Sequence, residues 1–198
     1  MKKVILLILV LFSFANTKAT HIMGGEITWV CIKDITNPDV GKYIFKMKVY
    51  RDCDGTTLST FSQTLDVWDG GVNPINSITL DWVSNTDISP AGDPLNSGNA
   101  CLDCNTNPVG AVEEYIYESQ PIALIGTPPA TGWFFTWDSC CRNGATTNLV
   151  LSSTTNPSEG FTLRASMFPY TDASGNILPA DPCYDNSPKF NESPKTII

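Results

Sequence analysis

The chain has 198 residues, 42% of them hydrophobic, with 12 Lys and Arg against 20 Asp and Glu and a formal net charge of −8. That length supplies one domain, or two small ones, with room for a sizeable core. The acidic balance and the absence of a basic run exclude a nucleic-acid footprint, whose phosphates require positive charge, and argue equally against an anionic lipid surface.

The chain opens MKKVILLILVLFSFANTKAT. Lys2 and Lys3 precede an apolar run over 4–11, and Thr17-Lys18-Ala19 fits a small-x-small cleavage site. These features predict a signal peptide over 1–19, a mature chain from near Thr20, and an extracellular or cell-surface location. The apolar run is too short to span a bilayer, so no stable membrane insertion is expected.

Helical periodicity is nearly absent downstream, and strand signals recur instead. In YIFKMKVY, Tyr43, Phe45, Met47 and Val49 alternate with Ile44, Lys46, Lys48 and Tyr50, the pattern of a half-buried strand. A strand over 25–33 precedes it across DITNPDVG, which predicts a hairpin; segments 61–69 and 75–83 flank GGVNP and predict a second. Segment 84–111 reads as a long aperiodic loop, of the kind that is either functional or stapled. Later strands are expected in EEYIYES, PIALIG, GWFFTWDS, TTNLVLSS and FTLRASMFPY. Short strands between Gly, Pro, Asn and Asp clusters predict an all-β antiparallel sandwich, Ig-like or jelly-roll-like, with little helix. The module should occupy 20–185, with 186–198 a Pro-containing linker or the start of a following domain, since Ile197-Ile198 looks like a new strand.

Seven cysteines stand at Cys31, Cys53, Cys101, Cys104, Cys140, Cys141 and Cys183. In an exported chain their default fate is disulfide formation. A zinc site lacks its second Cys-x-x-Cys and has only His21 to draw on. Cys101 and Cys104 could staple the long loop. Adjacent residues of a strand face opposite ways, so Cys140 and Cys141 should hold two different partners, with Cys31 the first candidate. An odd count leaves one thiol free, or paired outside the chain.

Motifs for chemistry are sparse. Asp52 and Asp54 in RDCDG could begin a calcium loop, but the remaining EF-hand ligands are lacking, and an Asp-Gly turn is the better reading. A nucleophilic dyad would need His21, near the mature terminus. Glu113, Glu114 and Glu118 could supply a glycosidase pair, with Glu114 and Glu118 on one strand face and Glu113 on the other. Trp29, Trp68, Trp82, Trp133 and Trp137 could form a sugar platform, although Trp133, Phe135 and Trp137 share a face and favour a core. No catalytic residue, cofactor or metal is assigned.

HIMGGEITWVCI, YIFKMKVYRDCDG, SCCRNGATTNL and CYDNSPKFNESP together resemble the N-terminal module of large Bacteroidota surface proteins. Many of those end in a gliding-motility-associated C-terminal domain exported by the type IX system. The resemblance implies an extracellular β module leading PKD-like or Ig-like repeats of the same chain, in adhesins or surface structural proteins, with a protein or glycan at the cell surface as partner. This chain departs from that pattern in carrying neither the repeats nor the sorting domain. The expected function is therefore a non-catalytic surface module. The alternatives are a secreted carbohydrate-binding module or a secreted hydrolase.

Overall fold

A computed structural model describes residues 22–89, 102–139, 160–184 and 187. Seven strands account for its regular structure, and no helix occurs among these residues. They are β1 (Ile22–Cys31), β2 (Tyr43–Asp52), β3 (Gln63–Trp68), β4 (Asn76–Asp87), β5 (Val112–Glu118), β6 (Trp133–Ser139) and β7 (Phe161–Met167). All neighbours are antiparallel, in the order β1-β2-β5-β4-β3-β6-β7.

β4 makes this one sheet serve as two layers. Its first half pairs with β3 (Asn76 with Val67 through Leu80 with Gln63), and its second half pairs with β5 (Asp81 with Glu118 through Asp87 with Glu113). An irregularity between Trp82 and Ser84 lies just past the change of partner, and bulges of this kind bend and twist a strand. The sheet therefore folds back on itself. β1-β2-β5-β4 faces β3-β6-β7, which is the strand arrangement of a seven-stranded immunoglobulin-type sandwich. The expected all-β, disulfide-stapled antiparallel sandwich is the observed fold. Of the two forms expected, the strand order matches the Ig-like one.

Period two places the core. Phe45, Met47 and Val49 of β2 are fully buried, as are Leu65 of β3, Leu80 of β4, and Phe135 of β6. The layers meet where Phe135 lies 4.7 Å from Phe45 and 5.5 Å from Trp29, centroid to centroid. Each such side chain contributes about 1.5–3 kcal/mol by leaving water. β1 also passes close to β7. A Cβ on Gly25 would lie 2.8 Å from Leu163 Cδ1 and would also collide with the Lys48 carbonyl oxygen, and that backbone contact is what requires glycine here. Both expected hairpins form. Gly41, at φ +83°, closes the first through its N–H to Ile32 O at 2.9 Å.

Several expectations need correction. PIALIG is not a strand: Ile122 exchanges backbone hydrogen bonds with Tyr43 as a single bridge, and Pro121 beside it has no N–H to extend a ladder. The aperiodic reading of 84–111 starts too early, because β4 continues through Asp87 on the edge of β5. TTNLVLSS, residues 1–21, and Cys101, Cys140 and Cys141 lie outside the described residues.

The disulfides also differ from the sequence reading. Cys31 pairs with Cys183, not with Cys140 or Cys141, at a Cα separation of 6.2 Å. Cys104 pairs with Cys53, not with Cys101, at 5.0 Å. Both separations suit a disulfide. Cysteines at bonding distance fit an oxidising environment. The physical reason for the change is that pairing follows which strand ends share a pole of the sandwich, and spacing along the chain does not report that.

Candidate functional site

The two poles carry most of the specific chemistry. At the pole where β1 begins, Arg51 of β2 stands opposite Glu113 of β5. Arg51 Nε and Nη2 donate to the same Glu113 oxygen, Oε2, at 2.8 and 2.7 Å, and both side chains are largely buried. Asn85 Nδ2 donates to the other oxygen, Oε1, at 2.6 Å. Arg51 Nη1 reaches the carbonyls of Asp52 and Gly55, each at 3.0 Å, and the guanidinium lies 5.9 Å from the Tyr115 ring centre. This network underlies the 52–55 turn and the Cys53–Cys104 bridge. Asp87 joins it by accepting the Cys104 N–H at 2.8 Å. The Ser89 hydroxyl first, then the Cys104 amide, hold the Asp87 carboxyl below its usual value.

Asp52 and Asp54 sit in that turn. Asp52 Oδ1 accepts the Asp54 N–H, and Gly55 N–H returns to Asp52 O, each at 3.0 Å, so Asp52 builds an Asp-Gly turn.

The three glutamates do not converge. Glu113 points inward to Arg51, while Glu114 and Glu118 lie on the outer face against Lys48 (3.2 Å) and Lys46 (3.1 Å). Lys48 also lies 3.6 Å from Glu26. Burial pulls the Lys48 ammonium down, but the Glu114 hydrogen bond and the neighbouring carboxylates outweigh it, and the net shift is upward.

Trp29, Trp133 and Trp137 belong to the core; Trp82 is exposed and Trp68 half-buried. No exposed planar row of tryptophans forms among the described residues. Trp68 instead helps to line a cleft of about 310 Å³ on the outer face of β3-β6-β7, with Gly70, Gly71, Phe134, Thr136 and Arg164. The indole Nε1–H donates to Thr136 Oγ1 at 2.8 Å, and the Arg164 guanidinium lies 3.9 Å from the Phe134 ring centre.

The sequence reading passed over Arg51 as a partner and missed this cleft. A signal for the cleft existed: if Trp133, Phe135 and Trp137 face inward, alternation must turn Phe134 and Thr136 outward.

Neither a family model, a curated protein nor a solved structure matches this chain.

Proposed function

We propose that this chain is a non-catalytic extracellular β module of a cell-surface adhesin or structural protein, of the kind that leads a series of repeats in large Bacteroidota surface proteins. The observation that carries this reading is an Ig-like sandwich bridged by a disulfide at each pole. Entry is at Ile22, which pairs with Arg51. The last continuous described stretch ends at Tyr184, by the opposite pole (here the exit pole) where Cys183 meets Cys31, and Ser187 Oγ accepts the Trp29 N–H at 2.6 Å. Bridges across both ends suit a domain that works outside the reducing cytoplasm. Burial of Trp29, Trp133 and Trp137 weighs against a flat tryptophan platform. The separated glutamates weigh against a glycosidase pair.

The test is made in the native host. Terminal sequencing should find the mature chain beginning near Thr20, and protease added to intact cells should remove the domain. An intact Met1, or a domain protected until cells are lysed, would overturn the reading.

A further inference from the structure

We infer that the cleft on the outer face of β3-β6-β7 is a binding site for a saccharide carrying a single carboxylate, a uronic acid ring within an otherwise neutral glycan. This adds a ligand class to the surface-module reading, but it stands on the cleft and not on the chain's place in a larger protein.

Three features of the cleft converge. The first is a prepared aromatic surface. Trp68 and Phe134 stand opposite each other in the β3-β6 ladder and both line the cleft. The bond from the Trp68 indole to Thr136 fixes the ring before any ligand arrives. A pyranose presents axial C–H groups that pack on such rings, and a rigid aromatic loses little entropy in doing so.

The second is the charge on Arg164. Lys42, Lys46, Lys48 and Arg51 each have a carboxylate partner. No carboxylate among the described residues stands within ion-pair distance of Arg164. Its guanidinium is held over the Phe134 ring at 3.9 Å, a stacking that leaves the N–H edge available for a planar carboxylate.

The third is access. Gly70 and Gly71 put bare backbone at the rim, and about 310 Å³ is at the lower end of ligand-pocket sizes, suited to one or two sugar rings.

Neighbouring acids set the ligand's charge. Asp69 Oδ1 accepts the Gly71 N–H at 3.0 Å, and Asp138 accepts the Thr162 hydroxyl. Asp66 lies opposite Thr136 in the ladder. Three carboxylates thus flank the cleft beyond ion-pair distance of Arg164, and a polyanion would be repelled. A ring with one carboxylate meets Arg164 while the neutral remainder meets the rings.

The experiment is calorimetric titration of the oxidised protein with glucuronosyl-xylose and with its methyl ester, which keeps the rings and removes the charge. The acid should bind at least roughly tenfold more tightly than the ester. R164A should erase that difference, R164K should retain part of it, and W68A should weaken both ligands. Arg164 is exposed, so its variants should fold, with near-UV circular dichroism as the check. Equal affinity for acid and ester, an unchanged preference in R164A, or no binding of either up to roughly 10 mM would overturn the proposal. None of these outcomes bears on whether the domain is exported, which the protease experiment decides separately.

Discussion

The two poles of the sandwich are closed by different physics. At the exit pole, Cys31–Cys183 spans 152 residues, so its oxidation restricts nearly the whole described chain in the unfolded state. The contacts that Tyr184 makes around it are neutral. Tyr184 N–H donates to the Tyr43 hydroxyl at 2.8 Å, the Tyr184 hydroxyl donates to Thr127 Oγ1 at 3.0 Å, and its ring meets Trp133 edge-on at 5.9 Å. At the entry pole, Cys53–Cys104 spans only 51 residues, and the buried Arg51–Glu113 pair, joined by the exposed Asn85, stands beside it. One end relies on a long covalent loop and aromatic packing. The other adds buried charge to a shorter loop. A buried ion pair is costly to desolvate, but once built it is more costly to break by halves.

The comparison can be tested directly. In the chain-entropy account, losing the 152-residue bridge costs about 5 kcal/mol and losing the 51-residue bridge about 4. Cys183→Ser should therefore lower the melting temperature more than Cys53→Ser does. Thermal unfolding of the two oxidised variants checks this; the reverse order would show that local strain or residual structure, and not loop length, sets the ranking. Peptide mapping without reduction should recover Cys31–Cys183 and Cys53–Cys104. Recovery of Cys31 joined to Cys140 or Cys141 would undo the comparison.

The second test belongs to the entry pole alone. Glu113→Ala leaves the Arg51 charge buried without its carboxylate and should cost about 3–5 kcal/mol by denaturant titration. The double variant Arg51→Met, Glu113→Leu removes both charges and should recover much of that loss. If the single and double variants were equally unstable, packing and not the unpaired charge would dominate there.

The smallest effect lies between the poles. Tyr117 is buried on β5, and its hydroxyl donates to Ser59 O at 2.6 Å. Burial first, then the neighbouring Tyr115, pushes its phenol up to about 12. A raised folded value means the stabilisation is complete below the unfolded value near 10 and is lost as pH rises from there through 12. Ultraviolet titration should show one tyrosine ionising last, and Tyr117→Phe should remove that late step without moving the others. Its persistence in the variant would assign it to another residue.

Parts of this arrangement were legible in the sequence. The lysines of YIFKMKVY marked the outer face of β2, and the Trp133-Phe135-Trp137 spacing marked the inner face of β6, because a strand's two-residue period writes its burial into adjacent letters. GGVNP announced the β3–β4 hairpin, since only a few turn chemistries reverse a chain that tightly. PIALIG misled because a short apolar run carries no period of its own to tell strand from loop. The cleft was half legible: outward Phe134 followed from inward Phe135, but its meeting with Trp68 and Arg164 did not.

The sequence alone determined the all-β class, most strand positions, the two hairpins and a cysteine content suited to oxidation. Each depends on residues within about ten positions of one another, where steric period and turn chemistry act directly. The tertiary structure decided that β4 changes layers, that Cys31 meets Cys183 and Cys53 meets Cys104, that Arg51 finds Glu113, and that Trp68, Phe134 and Arg164 share a cleft. Those pairings join residues 51 to 152 positions apart in the disulfides and 62 in the ion pair. Over such distances a local pattern carries no record of its partner, and only the packing of one sheet layer on the other selects among the many pairings the chain could make.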